Sequence, residues 1–170
     1  MLDDRKVLLA FGANQAGPWG EPAEAIERAL AELDGRGVVV TLVSRLIVTK
    51  PMGPPGQAHY ANAVAACQTL LAPGALLVLL KLLEFEAGRR PGPRWGPRPL
   101  DIDILDYDGM VLGWEAPHDP EHPAHLVLPH PELHKRTFVL EPLVEIAPKW
   151  RHPVVGDRAM DLLVKLQKGM

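Results

Sequence analysis

Two aspartates, Asp101 and Asp103, are separated by one residue in the apolar run LDIDIL. Alternate side chains of a β-strand face opposite ways, so both carboxylates should project from one face, about 7 Å apart, while the aliphatic side chains enter the core. Adjacent carboxylates repel each other, and a bound cation relieves that repulsion. Oxygen ligands with few other protein donors favour Mg²⁺ completed by water and substrate phosphates. For an isolated pair of aspartates the ordinary alternative is a solvated strand face.

Four arginines precede this strand within a dozen residues: Arg89, Arg90, Arg94 and Arg98. Guanidinium groups bind phosphate oxygens through paired hydrogen bonds, and phosphoryl transfer depends mainly on such positioning and on charge neutralisation. Taken singly, these arginines would be expected to form surface salt bridges. Beside two aspartates suited to a metal, they predict a triphosphate site. Trp95, in the same proline-rich segment, is either a hydrophobic anchor or a lid over a ligand.

Tyr60 and Asn62, in the segment HYANAV, share one face of a predicted strand. A flat ring beside an amide that both donates and accepts hydrogen bonds would fit a planar heterocycle. The alternative is ordinary core packing and a capped turn. A third mixed group of polar and aromatic side chains, His130, Arg136 and Phe138, lies in LPHPELHKRTFVLEPL.

The seven histidines also suggest zinc, chiefly through His118, His122 and His125, or through His130 and His134. Neighbouring prolines disrupt the helices that zinc motifs use to place two imidazoles on one face, and no cysteine lies nearby. Zinc is therefore disfavoured.

The elements that must position these residues follow from apolar spacing and from glycine and proline breaks. Residues 6–11 form a short apolar run typical of a buried strand, and a β-branched run over residues 38–49 predicts one long strand. Two helices are predicted where leucines and isoleucines repeat at helical spacing after a proline in the first turn. The predicted order is strand 6–11, helix 21–33, strand 38–49, strand 60–70, helix 73–87 and strand 100–105.

This β-α-β-β-α-β order predicts an α+β fold with a ferredoxin-like antiparallel sheet and two helices covering one face. Beyond it, the pair Asp108-Gly109 predicts a turn into a C-terminal hairpin. Short helices are predicted at residues 142–148 and 157–168.

The composition limits the class of protein. A chain of 170 residues, 47% of them hydrophobic, is the usual size of one domain, so residues 1–170 are expected to form a single domain. The net charge of −3 argues against a nucleic-acid partner and favours small-molecule ligands. No apolar run approaches the roughly 20 residues that cross a bilayer, and the start does not resemble a signal peptide. The single cysteine, Cys67, is expected to be a buried, inert thiol, which fits a reducing cytoplasm.

In their order along the chain, these segments resemble the 6-hydroxymethyl-7,8-dihydropterin pyrophosphokinase family over nearly the whole length. RWGPRPLDIDIL resembles the family signature, LPHPELHKRTFVLEPLVEIAP resembles a second conserved block, and FGAN, TKPMG and YANAV resemble three shorter ones. Some positions differ from the family pattern. Gly12-Ala13-Asn14 replaces the usual Gly-Ser-Asn, Tyr60 stands where phenylalanine is common, and the loop at residues 90–94 is short and proline-rich.

The resemblance implies an enzyme of folate synthesis that transfers pyrophosphate from ATP to the hydroxymethyl group of 6-hydroxymethyl-7,8-dihydropterin and releases AMP. The chain is expected to be a monomer. It implies that Asp101 and Asp103 bridge two Mg²⁺ ions on the ATP phosphates, and that Arg89 and Arg98 are catalytic with them. The implied ATP-binding residues are Glu84, Arg89, Arg94, Arg98, His130 and Arg136, and the implied pterin-binding residues are Thr49, Met52, Tyr60, Asn62, Trp95 and Phe138.

Two other classes of protein remain open from the residues alone. A two-metal phosphoester hydrolase or nuclease could use Asp101 and Asp103, and would act on a generic phosphoester without a pterin. A non-catalytic ferredoxin-like ligand-binding module would bind nucleotide without turnover, because fold does not fix function.

Overall fold

The computed structural model describes residues 4–49, 59–92, 96–115 and 126–169. Its strands are β1 (Arg5–Ala13), β2 (Val38–Val43), β3 (Ile47–Thr49), β4 (Tyr60–Thr69) and β5 (Asp101–Tyr107). Its α-helices are α1 (Pro22–Asp34), α2 (Pro73–Glu86), α3 (Thr137–Ile146) and α4 (Ala159–Lys168), and a 3-10 helix covers Leu133–Lys135. None of the helices in these ranges is long and apolar enough to cross a membrane.

The sheet has the order β2-β4-β1-β5, with β3 also paired to β4, and each of these pairs is antiparallel. The first strand therefore lies between the third and fourth strands of the predicted order. This confirms the predicted α+β fold with an open antiparallel sheet.

Helices α1 and α2 cover one face of the sheet. Ile26 and Leu33 of α1 and Leu80 of α2 are buried together with Phe11 and Ile102 of the sheet in one apolar cluster. Their spacing along each helix places the apolar side chains on the face that meets the strands. Both helices begin with the proline in the first turn that the sequence predicted.

Helices α3 and α4 pack on part of the opposite face. Leu140 and Leu163 form a second apolar cluster with Leu8, Val64 and Leu105 of three neighbouring strands. Farther along these strands on the same face, polar side chains replace the apolar ones. This second face therefore carries the candidate site beside the region covered by α3.

The prediction of one continuous strand over residues 38–49 is wrong. Val43 pairs with Ala65 and Ile47 pairs with Asn62, so residues 44–46 stand opposite only residues 63 and 64. The Ser44 N–H donates to the Val64 carbonyl at 2.9 Å, and the Ser44 hydroxyl accepts the Val64 N–H at 2.9 Å. The hydroxyl replaces a backbone acceptor at this position, so the ladder is interrupted without leaving the Val64 N–H unpaired.

The prediction that Pro142 opens a helix at residues 142–148 is also wrong, because α3 begins at Thr137 and contains Pro142. Pro142 is buried, as are Leu140 and Leu143 on either side of it. Burial of this face against the sheet and α4 outweighs the hydrogen bond that proline cannot donate. Helix α4 lies within the predicted range of residues 157–168.

The predicted turn at Asp108 and Gly109 forms, with φ angles of 51° and 73°. The Met110 N–H donates to the Tyr107 carbonyl at 2.8 Å and closes this turn. In the described residues the chain does not return along β5 as a strand. Leu112 instead forms an isolated bridge with Leu128, so the expected hairpin is limited to its turn.

Candidate active site

Strand β5 separates its side chains as the alternating pattern predicts. Leu100, Ile102 and Ile104 are buried in the cluster beneath α1 and α2. Asp101 and Asp103 face the other way, and their side chains are 23% and 34% exposed. The two carboxylates therefore share one partly exposed face, as their spacing required.

The strand register brings distant residues to the same place. Gly12 of β1 lies opposite Asn62 of β4 on one side and opposite Asp101 of β5 on the other. A Cβ added at Gly12 would lie 3.3 Å from Asn62 Oδ1 and 3.7 Å from Tyr60 Cδ1. The glycine therefore leaves room between the amide and ring on β4 and the carboxylate on β5.

Two arginines converge on Asp101. Arg89 Nη1, just after α2, donates to Asp101 Oδ1 at 2.5 Å, and Arg98 Nη1 donates to Asp101 Oδ2 at 3.3 Å. The backbone of Arg98 is fixed from β1, because its N–H donates to Asn14 Oδ1 at 2.7 Å and its carbonyl accepts the Asn14 N–H at 3.0 Å. The guanidinium groups are thus held where the C-terminal ends of α2 and β1 meet the start of β5.

Glu84 lies beneath this arginine pair, and its side chain is 3% exposed. Its Oε1 accepts the Ile102 N–H of β5 at 2.8 Å and lies 3.2 Å from Arg89 Nη1, while Oε2 lies 3.3 Å from Lys81 Nζ. Burial, followed by the negative charge of Asp101, raises the pKa of Glu84 to about 7. Glu84 therefore joins α2, β5 and Arg89 from the interior of the protein.

The two aspartates titrate in opposite directions. Burial and the charge of Asp101 raise the pKa of Asp103 to about 7. Burial would also raise the pKa of Asp101, but the charges of Arg89 and Arg98 outweigh it and lower that pKa below its usual range. Asp101 is therefore held ionised by its two arginine partners. When Asp103 is ionised, neighbouring positive charges balance its charge only in part.

His130 approaches Asp103 from the segment after residue 126. A register shift in β5 lies at Leu105, whose carbonyl accepts the His130 N–H at 2.8 Å. His130 Nδ1 accepts the Glu132 N–H at 3.1 Å, so the neutral ring carries its proton on Nε2, which lies 3.9 Å from Asp103 Oδ2. The charge of Arg136 also lowers the pKa of Asp103. This segment therefore brings donors to the side of Asp103.

The structure brings together most of the predicted residues that it describes. Asp101, Asp103, Arg89, Arg98 and Glu84 form one charged cluster, with His130 beside Asp103. The charge of Arg136 acts on Asp103 by lowering its pKa. Tyr60 and Asn62 adjoin it through the register of β4, and the Thr49 backbone lies opposite Tyr60. Phe138 packs against the second apolar cluster, with Arg136 Cζ 5.7 Å from its ring centroid. Met52, Arg94 and Trp95 lie outside the described residues.

Arg90 turns away from this cluster. Its Nη1 donates to the Phe85 carbonyl at 3.0 Å, and its Cζ lies 4.0 Å from the Phe85 ring centroid. Arg90 therefore packs on the C-terminal end of α2.

Sequence reasoning assigned no individual role to Asn14 or Lys81. Lys81 lies one helical turn before Glu84, and that spacing is a signal that could have been used. Nothing local to Asn14 indicates its contact with Arg98, because the two residues are 84 positions apart.

The donor set fits a cation that takes part of its coordination from a ligand. Within the described ranges, no three His, Cys, Asp or Glu side chains are grouped so that they could hold a metal ion. Asp101 and Asp103 would thus supply only part of a coordination shell, as is usual for Mg²⁺ bound with phosphates. Of the histidines considered for zinc, His118, His122 and His125 lie outside the described residues, and His134 packs against Trp114 and His152 instead.

An antiparallel sheet that gathers paired carboxylates and guanidinium groups on one partly exposed face has the charge pattern that phosphoryl-transferring enzymes use. A model of the family described as 7,8-dihydro-6-hydroxymethylpterin-pyrophosphokinase (HPPK) matches residues 8–148. The chain belongs to this family of ATP-dependent pyrophosphokinases, which acts in folate synthesis.

Relatives of similar length support this membership. The chain is 39% identical over 150 residues to the 2-amino-4-hydroxy-6-hydroxymethyldihydropteridine pyrophosphokinase of Pseudomonas aeruginosa, covering 88% of this chain and 85% of the relative. It is 39% identical over 139 residues to the enzyme of that name from Haemophilus influenzae, covering 82% and 79%.

Solved structures support the fold. A Plasmodium falciparum HPPK-DHPS crystal structure with pteroate superposes with a TM-score of 0.68 at 14% identity, covering 95% of this chain. This chain spans 42% of the length of that larger one.

Proposed function

We propose that this chain transfers the terminal diphosphate of ATP to the hydroxymethyl group of 6-hydroxymethyl-7,8-dihydropterin, and that the residues around Asp101 and Asp103 carry out the transfer. The family match supports the reaction. The observation that carries the residue assignment is the convergence of Arg89 and Arg98 on Asp101, with Asp103 on the same strand face. These groups supply both signs of charge that a metal-bound triphosphate requires.

Asp101 and Asp103 are the proposed ligands of two Mg²⁺ ions that bind with ATP. Burial and the neighbouring charge of Asp101 disfavour the ionised form of Asp103, and a bound cation would offset both. When held by Asp101 and Asp103, Mg²⁺ would supply positive charge that offsets the negative charge developing during transfer.

Arg89 and Arg98 are proposed to exchange Asp101 for phosphate oxygens when ATP binds. Their present contacts hold two guanidinium groups at the edge of the acidic pair without leaving either charge isolated. Glu84 is proposed to act on ATP through Arg89, since its side chain is buried and its oxygens are occupied by protein donors. The arginines would thus be positioned for the charge of the transferring group before the substrate arrives.

His130 and Arg136 are proposed to bind phosphate from the side of Asp103, together with Arg94. The proton on His130 Nε2 makes that atom a donor toward this side of the site, and Arg136 supplies a permanent positive charge.

The pterin is proposed to lie over Gly12, with its ring stacked on Tyr60 and Phe138 and its polar edge on Asn62. Thr49, Met52 and Trp95 would complete this subsite. The missing side chain at Gly12 supports the location, because a methyl group there would crowd the Asn62 amide. From this position the pterin hydroxyl oxygen bonds to the β-phosphorus as the bond from that phosphorus to the α-β bridging oxygen breaks. AMP leaves, and the hydroxyl proton is released to water.

The test is product analysis of the full chain with ATP, Mg²⁺ and the reduced pterin. AMP should form only when all three are present. Formation of ADP would contradict the proposal. So would phosphate release from a generic phosphoester without pterin, which would indicate the hydrolase alternative, and so would ATP binding without turnover, which would indicate a binding module.

For the chain as a whole we propose a monomeric, single-domain enzyme of the cytoplasm that acts on small molecules and on neither nucleic acid nor membrane. Burial raises the pKa of Cys67 to about 12, which makes an unreactive thiol. Sedimentation velocity at assay concentration would test the monomer.

A further inference from the structure

A group of aromatic rings outside the charged site surrounds His152. We define the histidine cluster as Trp114, His134, Trp150 and His152. His152 is 0% exposed, and its ring centroid lies 5.5 Å from that of Trp114, 5.3 Å from that of His134 and 5.7 Å from that of Trp150. All three contacts are edge-to-face. The cluster therefore joins the segment after β5, the 3-10 helix and the C-terminal segment around one buried ring.

The protonation state of His152 follows from its backbone contacts. Its Nδ1 accepts the N–H groups of Val154 at 3.1 Å and Val155 at 3.0 Å, so the neutral ring carries its proton on Nε2. Within the described ranges that buried nitrogen has no hydrogen-bond partner. A protonated nitrogen offers no lone pair to a metal, so His152 acts here as a packed ring and not as a ligand.

The 3-10 helix connects the histidine cluster to the charged site. Along the chain His134 lies between His130, whose Nε2 is 3.9 Å from Asp103 Oδ2, and Arg136, whose charge lowers the pKa of Asp103. In this turn the Leu133 N–H donates to the His130 carbonyl and the Arg136 N–H to the Leu133 carbonyl, both at 3.3 Å, while the Lys135 N–H donates to the Glu132 carbonyl at 3.0 Å. Backbone bonds are usually about 2.9–3.0 Å, so two of the three bonds of this turn are long. The buried Leu133 side chain and the His134 ring, packed on His152, also hold the turn in place.

We propose that His152 is a positioning residue for ATP binding: its ring, packed edge-to-face on His134, fixes the 3-10 turn that carries His130 and Arg136 toward Asp103. The role assigned to His130 and Arg136 rests on the proposed function above. His152 lies beyond residues 8–148, the segment that the family model matches, and it acts through His134 without contacting substrate.

Two substitutions separate the ring packing of His152 from its hydrogen bonds. His152→Phe keeps a flat ring against His134 but loses the acceptor for the Val154 and Val155 N–H groups. His152→Asn keeps a carbonyl acceptor near Nδ1 but loses the ring. We expect the phenylalanine variant to keep an ATP affinity near wild type, and the asparagine variant to lose about tenfold or more.

Leu33→Ala is the matched control, because Leu33 of α1 is buried in the first apolar cluster, on the sheet face opposite the 3-10 helix. It should lower the melting temperature without a comparable loss of ATP affinity. Affinity for ATP with Mg²⁺ is measured by calorimetry on the full chain without pterin, at a temperature where every variant is folded.

The outcomes distinguish this inference from the proposed function. If the wild type forms AMP but affinity for ATP follows thermal stability across all three variants, the positioning role is wrong and His152 only stabilises the fold. The same conclusion follows if His152→Phe loses more affinity than His152→Asn. If the wild type binds ATP but never forms AMP, the proposed function fails, and the comparison of ATP affinities still decides the role of His152.

Discussion

Asp101 and Asp103 lie on the same strand face, but different groups balance their charges. Each oxygen of Asp101 accepts a hydrogen bond from a different arginine. Asp103 has His130 Nε2 at 3.9 Å and a pKa raised to about 7 by burial and by Asp101. Strand alternation places the two carboxylates on one face, but their partners and pKa values differ. Removing one carboxylate should therefore not have the same effect as removing the other.

We expect Asp103→Asn to lower turnover at least about a hundredfold while leaving the fold intact, because a neutral amide is a poor ligand for Mg²⁺. The raised pKa means that ionised Asp103 is disfavoured by folding, so the amide should not lower stability above neutral pH. AMP release and thermal unfolding would be measured together. Asp108→Asn is the control, because Asp108 pairs with Arg5 on the exposed turn after β5. Wild-type turnover in Asp103→Asn would contradict the proposal that Asp103 binds Mg²⁺.

Gly12→Ala tests the pterin subsite at a single atom. The new Cβ would lie 3.3 Å from Asn62 Oδ1, closer than most real contacts of this kind, so the amide or the strand must shift by a few tenths of an ångström. We expect the KM for the pterin to rise about tenfold, the effect of misplacing one hydrogen-bonding group, with the KM for ATP little changed. Gly74→Ala is the matched control, since a Cβ there meets nothing within 4 Å. An unchanged pterin KM in Gly12→Ala would place the pterin elsewhere.

At the scale of elements, Glu84 is a connection between α2 and β5. Glu84→Ala would leave the buried Ile102 N–H without its acceptor and should cost about 1–3 kcal/mol of unfolding free energy. Glu84→Gln keeps an oxygen for that N–H and removes the charge. The raised pKa of Glu84 contributes stability at low pH that is lost as pH rises through about 7, so at pH values above 7 the glutamine should be at least as stable as wild type.

Urea denaturation above neutral pH would measure this difference, with the exposed Glu27→Ala on α1 as control. Equal losses for alanine and glutamine at position 84 would show that the Ile102 hydrogen bond contributes little. Turnover should fall in both variants, because Arg89 loses a charged partner in each.

Elements with a local pattern were predictable from the sequence. The alternation of β5, the leucine spacing of α2 and the proline at the start of each early helix are all written within a few residues. The split between β2 and β3 was not, because it depends on one serine hydroxyl meeting Val64 across the sheet. Nor was the start of α3, where burial of Pro142 outweighs its local preference.

The candidate site divides in the same way. The pairing of Asp101 and Asp103 followed from strand geometry, whereas their juxtaposition with Asn62 across Gly12 depends on the register of three strands. The anchoring of Arg98 by Asn14 is likewise a contact between residues 84 positions apart. No local pattern specifies such contacts, because tertiary pairing decides them.

In the molecule as a whole, the sheet separates two apolar clusters that have different roles. The cluster under α1 and α2 holds the apolar side chains of β5. The cluster under α3 and α4 lies on the face of the site, and the chain that forms α4 continues past residue 148, where the family match ends. The C-terminal segment thus helps to hold the site in place, and substitutions at His152 measure how much this segment contributes.

The pH dependence of stability should report this contribution. Burial, followed by the charge of His134, lowers the pKa of His152 to about 4, and Asp157 only partly opposes this. Since the ordinary value is about 6.5, the unfolded chain binds a proton at His152 that the folded protein does not, so the stabilisation is present above about pH 6.5 and is lost as pH falls through about 4.

Glu84 and Asp103, with raised pKa values near 7, act in the opposite direction. A comparison with His152→Asn, which cannot titrate at this position, therefore isolates the histidine. Between pH 7 and pH 4 we expect wild type to lose on the order of 3 kcal/mol more unfolding free energy than His152→Asn. Urea denaturation of both proteins at several pH values would measure it, and parallel curves would mean that the buried ring is not held neutral by the fold.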